Sequence, residues 1–124
     1  MIEGRVNARL EATLYLDVQR PGGRTRTIEA VVDTGYSEFL TLPADRVGEL
    51  GLTRKHRGSA RLADGSEIAF DVYDAELFWN GQAIAVLVDE AETTPLVGMA
   101  LLEGHELRIE VRTGGRVLID PLPA

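Results

Sequence analysis

The sequence contains no cysteine, and His56 and His105 are the only histidines among its 124 residues. Without cysteine the chain can form no disulfide bond, no thiolate metal site and no cysteine nucleophile. The two histidines do not form an HExxH-like motif, so we expect no bound metal and no other cofactor.

Long apolar runs are also absent. No stretch approaches the roughly 18 residues that a membrane-spanning helix needs, and residues 1–12 contain no apolar core of a signal peptide. We therefore expect a cytoplasmic protein that has no membrane partner.

Positive charge is scarce. The chain has 13 basic residues against 20 acidic ones, which gives a net charge of −7. Nucleic-acid binding needs clustered lysine and arginine, so we expect no nucleic-acid partner. We interpret the one basic run, residues 53–57, as a solvated loop.

Length and composition indicate an ordinary globular protein. Of the residues, 44% are hydrophobic and 27% are charged. A chain of this length can bury a core without the help of a metal or a disulfide. We predict a single domain over residues 1–124.

Alternation of apolar and polar residues dominates the chain, most clearly over residues 8–18 and 66–79. Such alternation predicts β-strands. The turn dipeptides Asp64-Gly65 and Asn80-Gly81 are typical of two-residue hairpins. Two short helical patches, each followed by glycine, interrupt the strands. The pattern predicts an all-β fold, a closed or nearly closed antiparallel β-barrel with one or two short helices.

The helical patches belong to a weak internal repeat. Residues 16–50 follow the order strand, glycine turn, strand, acidic turn, short apolar strand and short helix. Residues 75–107 follow much the same order. This order indicates a domain made of two similar halves.

The segment EAVVDTGYSEFL, residues 29–40, joins an apolar strand to a polar turn. Residues 30–32 have the composition of a core strand, and Asp33 follows them directly. A carboxylate is rarely buried without a partner, so Asp33 either caps a turn or does chemistry. In the first interpretation Asp33 forms an Asx-turn and Gly35 supplies a positive φ.

The second interpretation rests on a resemblance. Three segments carry it: Asp33-Thr34-Gly35 after two apolar residues, FLTLP at residues 39–43, and PLVGMALL at residues 95–102. Together they resemble the retropepsin-like aspartic proteases, in particular the small bacterial members of clan AA. The likeness covers most of the chain, and it implies that residues 1–124 form one barrel of the retropepsin (acid protease) type.

The resemblance also implies an activity and its residues. The chain would be an aspartic peptidase, a hydrolase that cleaves peptides or unfolded proteins. Its catalytic triplet would be Asp33, Thr34 and Gly35. A second motif, Leu96, Val97 and Gly98, would pack against the triplet and support it.

The chemistry of this family requires two carboxyl groups. One takes a proton from water while the other, protonated, donates to the peptide carbonyl, and two groups held about 3 Å apart share one proton. This chain has one Asp-Thr-Gly, and residues 88–95, where a second copy would lie, contain none. The resemblance therefore implies a homodimer to which each subunit gives one Asp33. It also implies that residues 1–6 and 117–124 pair across the dimer interface.

The hairpin at residues 61–70 occupies the position of the family's flap, which closes over a bound peptide. Its tip consists of Ala63, Asp64, Gly65 and Ser66, which would contact the substrate. The alternative is an ordinary hairpin in solvent.

The chain departs from the family at three positions. Ala100 stands where many relatives have aspartate or asparagine, and Tyr36 and Ser37 replace small and acidic residues. A second hypothesis follows from these departures: a catalytically silent protease-like barrel that binds peptides or serves as an assembly module.

Overall fold

A computed structural model describes all residues from 1 to 124, which form ten strands and two short helices. The strands are β1 (Ile2–Val6), β2 (Ala12–Gln19), β3 (Thr25–Val32), β4 (Leu40–Leu42), β5 (Thr53–Arg61), β6 (Glu67–Trp79), β7 (Gln82–Glu90), β8 (Leu96–Val97), β9 (His105–Ile109) and β10 (Arg116–Pro121). The helices are α1 (Ala44–Leu50) and α2 (Met99–Leu102). Neither helix is long and apolar enough to cross a membrane.

Six of the strands form a closed ring. In the order β2, β3, β8, β4, β7 and β6 each strand pairs with the next, and β6 returns to β2. Strand β5 extends the sheet from β6, while β1, β10 and β9 extend it in that order from β2. The prediction of an all-β barrel with short helices is confirmed.

Two pairings in the ring are parallel. Strand β3 runs parallel to β8, with Val31 beside Leu96 and Val32 beside Val97, and β4 runs parallel to β7. Parallel neighbours cannot be joined by a tight hairpin, so they come from distant parts of the chain. The sequence predicted only antiparallel pairs, and for these two pairings the prediction is wrong. Alternation of apolar and polar residues identifies a strand but does not give its direction relative to its neighbours.

The internal repeat is confirmed in the order of elements. Strands β2, β3 and β4 followed by α1 match strands β6, β7 and β8 followed by α2. The two halves interlock, because β8 of the second half lies between β3 and β4 of the first.

The two predicted hairpin turns differ. Asn80 and Gly81 have φ values of 52° and 82° and form a two-residue turn, as predicted. At the other hairpin, Leu62 N–H donates to Ser66 O, and only Gly65 has a positive φ, of 87°. That turn therefore has three residues, because its third position takes the left-handed conformation that glycine allows.

The ring encloses one cluster of 20 buried hydrophobic residues. Helix α1 begins after Pro43, ends at Gly51 and adds Val47 and Leu50 to the cluster. Trp79 is buried beside its hairpin, and its Nε1–H donates to His105 Nε2 at 3.3 Å. The sequence had assigned no role to His105.

The basic run is part of strand β5 and not a loop. Arg54 lies 3.1 Å from Asp71, and Lys55 lies 3.5 Å from Asp74 on the neighbouring strand. Opposite charges on paired strands make a run of basic residues compatible with a sheet.

The terminal segments pair within one chain. Strand β1 lies between β2 and β10, and β10 lies between β1 and β9. Strand β10 is paired on both edges, and Arg5 and Val6 of β1 also pair with β2, whereas Ile2, Glu3 and Gly4 pair with β10 alone. Pairing of residues 1–6 and 117–124 across a dimer interface stays a prediction. The open edge at this end of the sheet belongs to β9.

Candidate active site

Asp33 lies at the end of β3, next to the point where β8 enters the sheet. Its main-chain N–H donates to Val97 O at 2.9 Å, and its carbonyl oxygen accepts the Tyr36 N–H at 3.1 Å. Main-chain hydrogen bonds thus fix the residue on both sides, and its side chain is partly exposed.

The two carboxylate oxygens of Asp33 have different surroundings. Oδ1 accepts the Gly35 N–H at 2.9 Å, whereas Oδ2 accepts no hydrogen bond from the chain. The first contact is that of an Asx-turn, yet Gly35 does not have the positive φ that the turn interpretation expected. One oxygen is therefore positioned by the loop, and the other is left for water or a second carboxyl group.

Thr34 and Gly35 are exposed at the surface of the loop. The Thr34 hydroxyl makes no hydrogen bond within the chain, so it remains available to a group outside it. A Cβ on Gly35 would lie 3.2 Å from Asp33 Oδ1, which is tight for any larger residue.

The second motif contacts the Asp33 loop through its main chain. Gly98 N–H donates to Phe39 O at 3.0 Å, and Met99 N–H donates to Tyr36 O at 2.7 Å. Leu96 N–H donates to the hydroxyl of Thr41, at 3.0 Å. The structure therefore brings the two predicted motifs together, although they are far apart in the sequence.

Gly98 is packed directly against the loop. A Cβ at this position would overlap the Glu38 carbonyl oxygen and lie 2.5 Å from Tyr36 Cδ2. The close approach of two backbone segments requires glycine here. At Ala100 the main-chain N–H donates to Glu38 O at 3.2 Å, so this support does not depend on a polar side chain.

Tyr36 ties the loop to the neighbouring strand β7. Its hydroxyl donates to Asp89 Oδ2 at 2.6 Å and lies 3.4 Å from Leu40 O. Burial and the hydrogen bond to Asp89 raise the pKa of the Tyr36 hydroxyl well above its usual value, which keeps it a donor. The sequence marked Tyr36 only as a departure from the family and did not identify its partner.

A cleft of about 560 Å³ adjoins the loop at Tyr36 and Glu38, between the β5–β6 hairpin and the end of β7. Its apolar wall includes Ile68 and Phe70 from the hairpin. Four carboxylates and one imidazole also line it: Glu38, Asp89, Glu90, Glu92 and His56. None of these residues had been predicted as part of a site.

The tip of the predicted flap lies outside this cleft. Ala63, Asp64, Gly65 and Ser66 are all exposed, and none lines the cleft wall. Asp64 Oδ1 accepts both the hydroxyl and the N–H of Ser66, and these contacts lower the pKa of the Asp64 carboxyl. The shaft of the hairpin forms the wall, and the role of the tip stays a prediction.

No cluster of three or more histidine, aspartate or glutamate side chains is arranged to hold a metal ion.

Comparison with known proteins identifies the fold. No protein-family model and no curated protein matches the chain. Among solved structures, the chain is similar to the EIAV protease complexed with the inhibitor HBY-793, at a TM-score of 0.57 and 15% sequence identity. The likeness covers 78% of this chain and 89% of that one. The fold is therefore retropepsin-like.

Proposed function

We propose that this protein is an aspartic endopeptidase whose single domain spans residues 1–124 and acts as a homodimer. The Asp33 carboxyl groups of two copies would form the dyad that activates water. The observation that supports this most directly is the Asp33 carboxylate, which has Oδ1 fixed by the Gly35 N–H and Oδ2 without a partner. A turn cap explains the first contact but not the rigid support of the loop by the second motif.

The geometry suits a dyad that shares one proton. With Oδ1 held by the loop, the Oδ2 atoms of the two copies are free to approach each other. Two carboxyl groups that are close together cannot both ionise, so one stays protonated. The ionised group takes a proton from water as the water oxygen bonds to the carbonyl carbon, and the protonated group donates its proton to the carbonyl oxygen. A proton then passes to the nitrogen as the C–N bond breaks.

The cleft beside the loop favours a particular kind of substrate side chain. Ile68 and Phe70 offer apolar surface, while Glu38 and Asp89 add carboxylates to the same lining. Lysine and arginine combine an apolar stem with a positive head, so they match both surfaces. We expect cleavage of extended or unfolded polypeptides that place a basic residue in this cleft.

The test is cleavage of an unstructured protein by the wild type and by Asp33→Asn, across acidic and neutral pH. We expect wild-type activity with an optimum on the acidic side of neutral, because one carboxyl must be protonated and one ionised. A transition-state-mimicking aspartic-protease inhibitor should block it. Asp33→Asn should remain folded and inactive, because an amide cannot accept the proton of water.

The matched control is Asp45→Asn. Oδ1 of Asp45 also accepts a main-chain N–H, from Arg46 at 2.8 Å, but this residue lies on α1. The control should cleave like the wild type. Cleavage by Asp33→Asn would contradict the proposal. Absence of cleavage by every variant, including the wild type, would favour the silent peptide-binding barrel.

A further inference from the structure

The side chain of His105 links the α2–β9 turn, formed by Glu103 and Gly104, to the end of β6. Its Nε2 accepts the Trp79 Nε1–H at 3.3 Å, and its Nδ1 lies 3.0 Å from Glu103 O. The two rings meet edge to face, with their centroids 5.7 Å apart and an angle of 75° between their planes. One imidazole therefore contacts a main-chain carbonyl of the turn and a core side chain at the same time.

These two contacts define the protonation state of His105. The indole N–H of Trp79 is only a donor, so Nε2 has to accept and carries no proton. The Glu103 carbonyl is only an acceptor, so Nδ1 carries the proton and donates it. Both bonds exist together only in the neutral imidazole that is protonated at Nδ1.

A second proton on His105 breaks the bond to Trp79. Histidinium donates from both nitrogens, so two N–H groups would face each other at Nε2. The edge of an aromatic ring is also positive, so it repels a cation. Trp79 is 6% exposed, which gives its indole N–H little access to water as a replacement partner. Protonation therefore leaves a buried donor without an acceptor, and this state is unfavourable.

No neighbouring group compensates the charge of a protonated His105. Helix α2 has no charged side chain, and the Met1 ammonium donates to Asn80 Oδ1 at 3.0 Å. Carboxylates on β9 and β10 pair with Arg108 instead, at 3.2 Å and 3.5 Å. The charged groups on the elements around His105, none of which forms an ion pair with it, are Asp33, Glu103, Glu106, Arg108, Asp120 and the Met1 ammonium.

The turn that His105 contacts lies beside the loop that carries Asp33. Thr34 lines one hollow together with Glu103, Gly104 and His105. The turn is attached to the C-terminal segment by one main-chain bond, from Leu122 N–H to Gly104 O at 2.9 Å. The side chain of His105 adds a second attachment, to the buried end of β6. The position of the turn next to Thr34 therefore depends on both.

We propose that neutral His105 is a positioning residue that fixes the α2–β9 turn beside Thr34, and that protonation of its Nε2 releases this turn. Histidine side chains ordinarily titrate near pH 6.5, so the release occurs as the solution becomes mildly acidic. The consequence for cleavage rests on the proposed function: release of the turn lowers activity at the acidic end of the pH profile. The release itself can be tested without any activity.

Two amide variants separate the roles of the ring nitrogens. His105→Gln places a carbonyl oxygen near the position of Nε2, where it accepts the Trp79 N–H at every pH. His105→Asn is shorter, reaches only as far as Nδ1 and leaves the indole without an acceptor. Neither amide titrates. The turn should therefore stay fixed in acid in His105→Gln, and it should already be released at neutral pH in His105→Asn.

Nuclear magnetic resonance measures both the bond and the turn. Trp79 is the only tryptophan, so its indole N–H gives one signal, which should shift as His105 titrates in the wild type and stay constant in His105→Gln. The ¹⁵N shifts of His105 at about pH 8 should be those of the tautomer protonated at Nδ1. Between about pH 8 and about pH 5, amide exchange at Gly104, corrected for the intrinsic rate, should rise about tenfold more in the wild type than in His105→Gln.

The matched control is His56→Gln, the same substitution at the only other histidine. His56 lies on β5 and is exposed. This variant should leave the titration of the Trp79 signal unchanged. Circular dichroism at each pH confirms that every variant is folded.

Three results would overturn the role of His105: a neutral ring protonated at Nε2, a Trp79 signal that does not follow the titration, or equal exchange at Gly104 in the wild type and His105→Gln. Failure of the proposed function gives a different result, because the Trp79 signal would then titrate in a protein that cleaves nothing. If both proposals hold, His105→Gln should retain at least about threefold more of its maximal activity than the wild type at about pH 5.

Discussion

Replacing Gly98 with alanine should destabilise the fold and displace the loop that carries Asp33. The new Cβ would overlap the Glu38 carbonyl oxygen and lie 2.5 Å from Tyr36 Cδ2. Neither neighbour moves freely: the first belongs to the main chain, and the tyrosine hydroxyl is bonded to Asp89. Strand β8 must therefore separate from the loop.

The expected cost follows from these contacts. Overpacking of this kind costs about 1–3 kcal/mol. Separation also weakens two main-chain hydrogen bonds, from Gly98 N–H to Phe39 O and from Met99 N–H to Tyr36 O, at about 1 kcal/mol each. The free energy of unfolding should fall by about 3–5 kcal/mol, a large part of the stability of a small domain.

Urea denaturation followed by circular dichroism measures this change. The control is Gly48→Ala in α1, where a new Cβ has no atom within 4 Å. Alanine is the better helix former, so this variant should gain about 0.5–1 kcal/mol. Gly98→Ala should therefore be less stable than the wild type, and Gly48→Ala should be more stable. Equal stability of Gly98→Ala and the wild type would refute the close packing of β8 against the loop.

Three further predictions concern single side chains. Tyr36→Phe removes a hydrogen bond to the Asp89 carboxylate and should lower the free energy of unfolding by about 1.5–3 kcal/mol in urea; an unchanged midpoint would contradict this. Hydrogen bonds from Arg116 to both oxygens of Glu110 lower the pKa of this carboxyl from 4.5 to about 2. A carboxyl whose pKa is lowered in the folded state stabilises the fold at neutral pH. The wild type should lose this contribution as the pH falls from 4.5 to about 2. The melting temperatures of Glu110→Gln and the wild type should therefore converge near pH 2. Glu38→Lys should reduce cleavage of substrates with a basic residue relative to matched acidic ones; an unchanged ratio would remove Glu38 from the substrate cleft.

Much of the fold follows from local patterns that the sequence displays openly. Alternation along residues 66–79 and the Asn80-Gly81 turn predict the β6–β7 hairpin correctly, because strand period and turn conformation depend on neighbouring residues. The direction of β8 relative to β3 does not follow from local patterns. The paired segments, Val31-Val32 and Leu96-Val97, are both short apolar runs, and their parallel pairing depends on contacts between distant residues.

The prediction that the basic run, residues 53–57, forms a loop was wrong for a similar reason. All of residues 53–57 are exposed, so they show no alternation between a buried and a solvent face. What makes them a strand is the pairing with β6, where Asp71 and Asp74 supply the opposite charges. A single segment cannot display a partner that lies elsewhere in the chain.

The candidate site also has some residues that local motifs predict and some contacts that only the fold creates. Asp33 and Gly98 could be predicted because each lies in a short motif with a recognisable neighbourhood. The Tyr36–Asp89 hydrogen bond could not be predicted, because the two residues are 53 positions apart in the sequence. They meet only through the pairing of β4 with β7. The acidic lining of the cleft depends on the same pairing.

The insertion of β8 between β3 and β4 sets the order in which the protein can fold. During synthesis from the N-terminus, β3 and β4 emerge long before residues 96 and 97, so their facing edges stay unpaired until β8 arrives. Pairings between distant segments carry a large loop-closure entropy and slow folding. The segment that fixes Asp33 is thus made after β2 to β7, and a nascent chain cannot assemble the loop until these strands and β8 have left the ribosome.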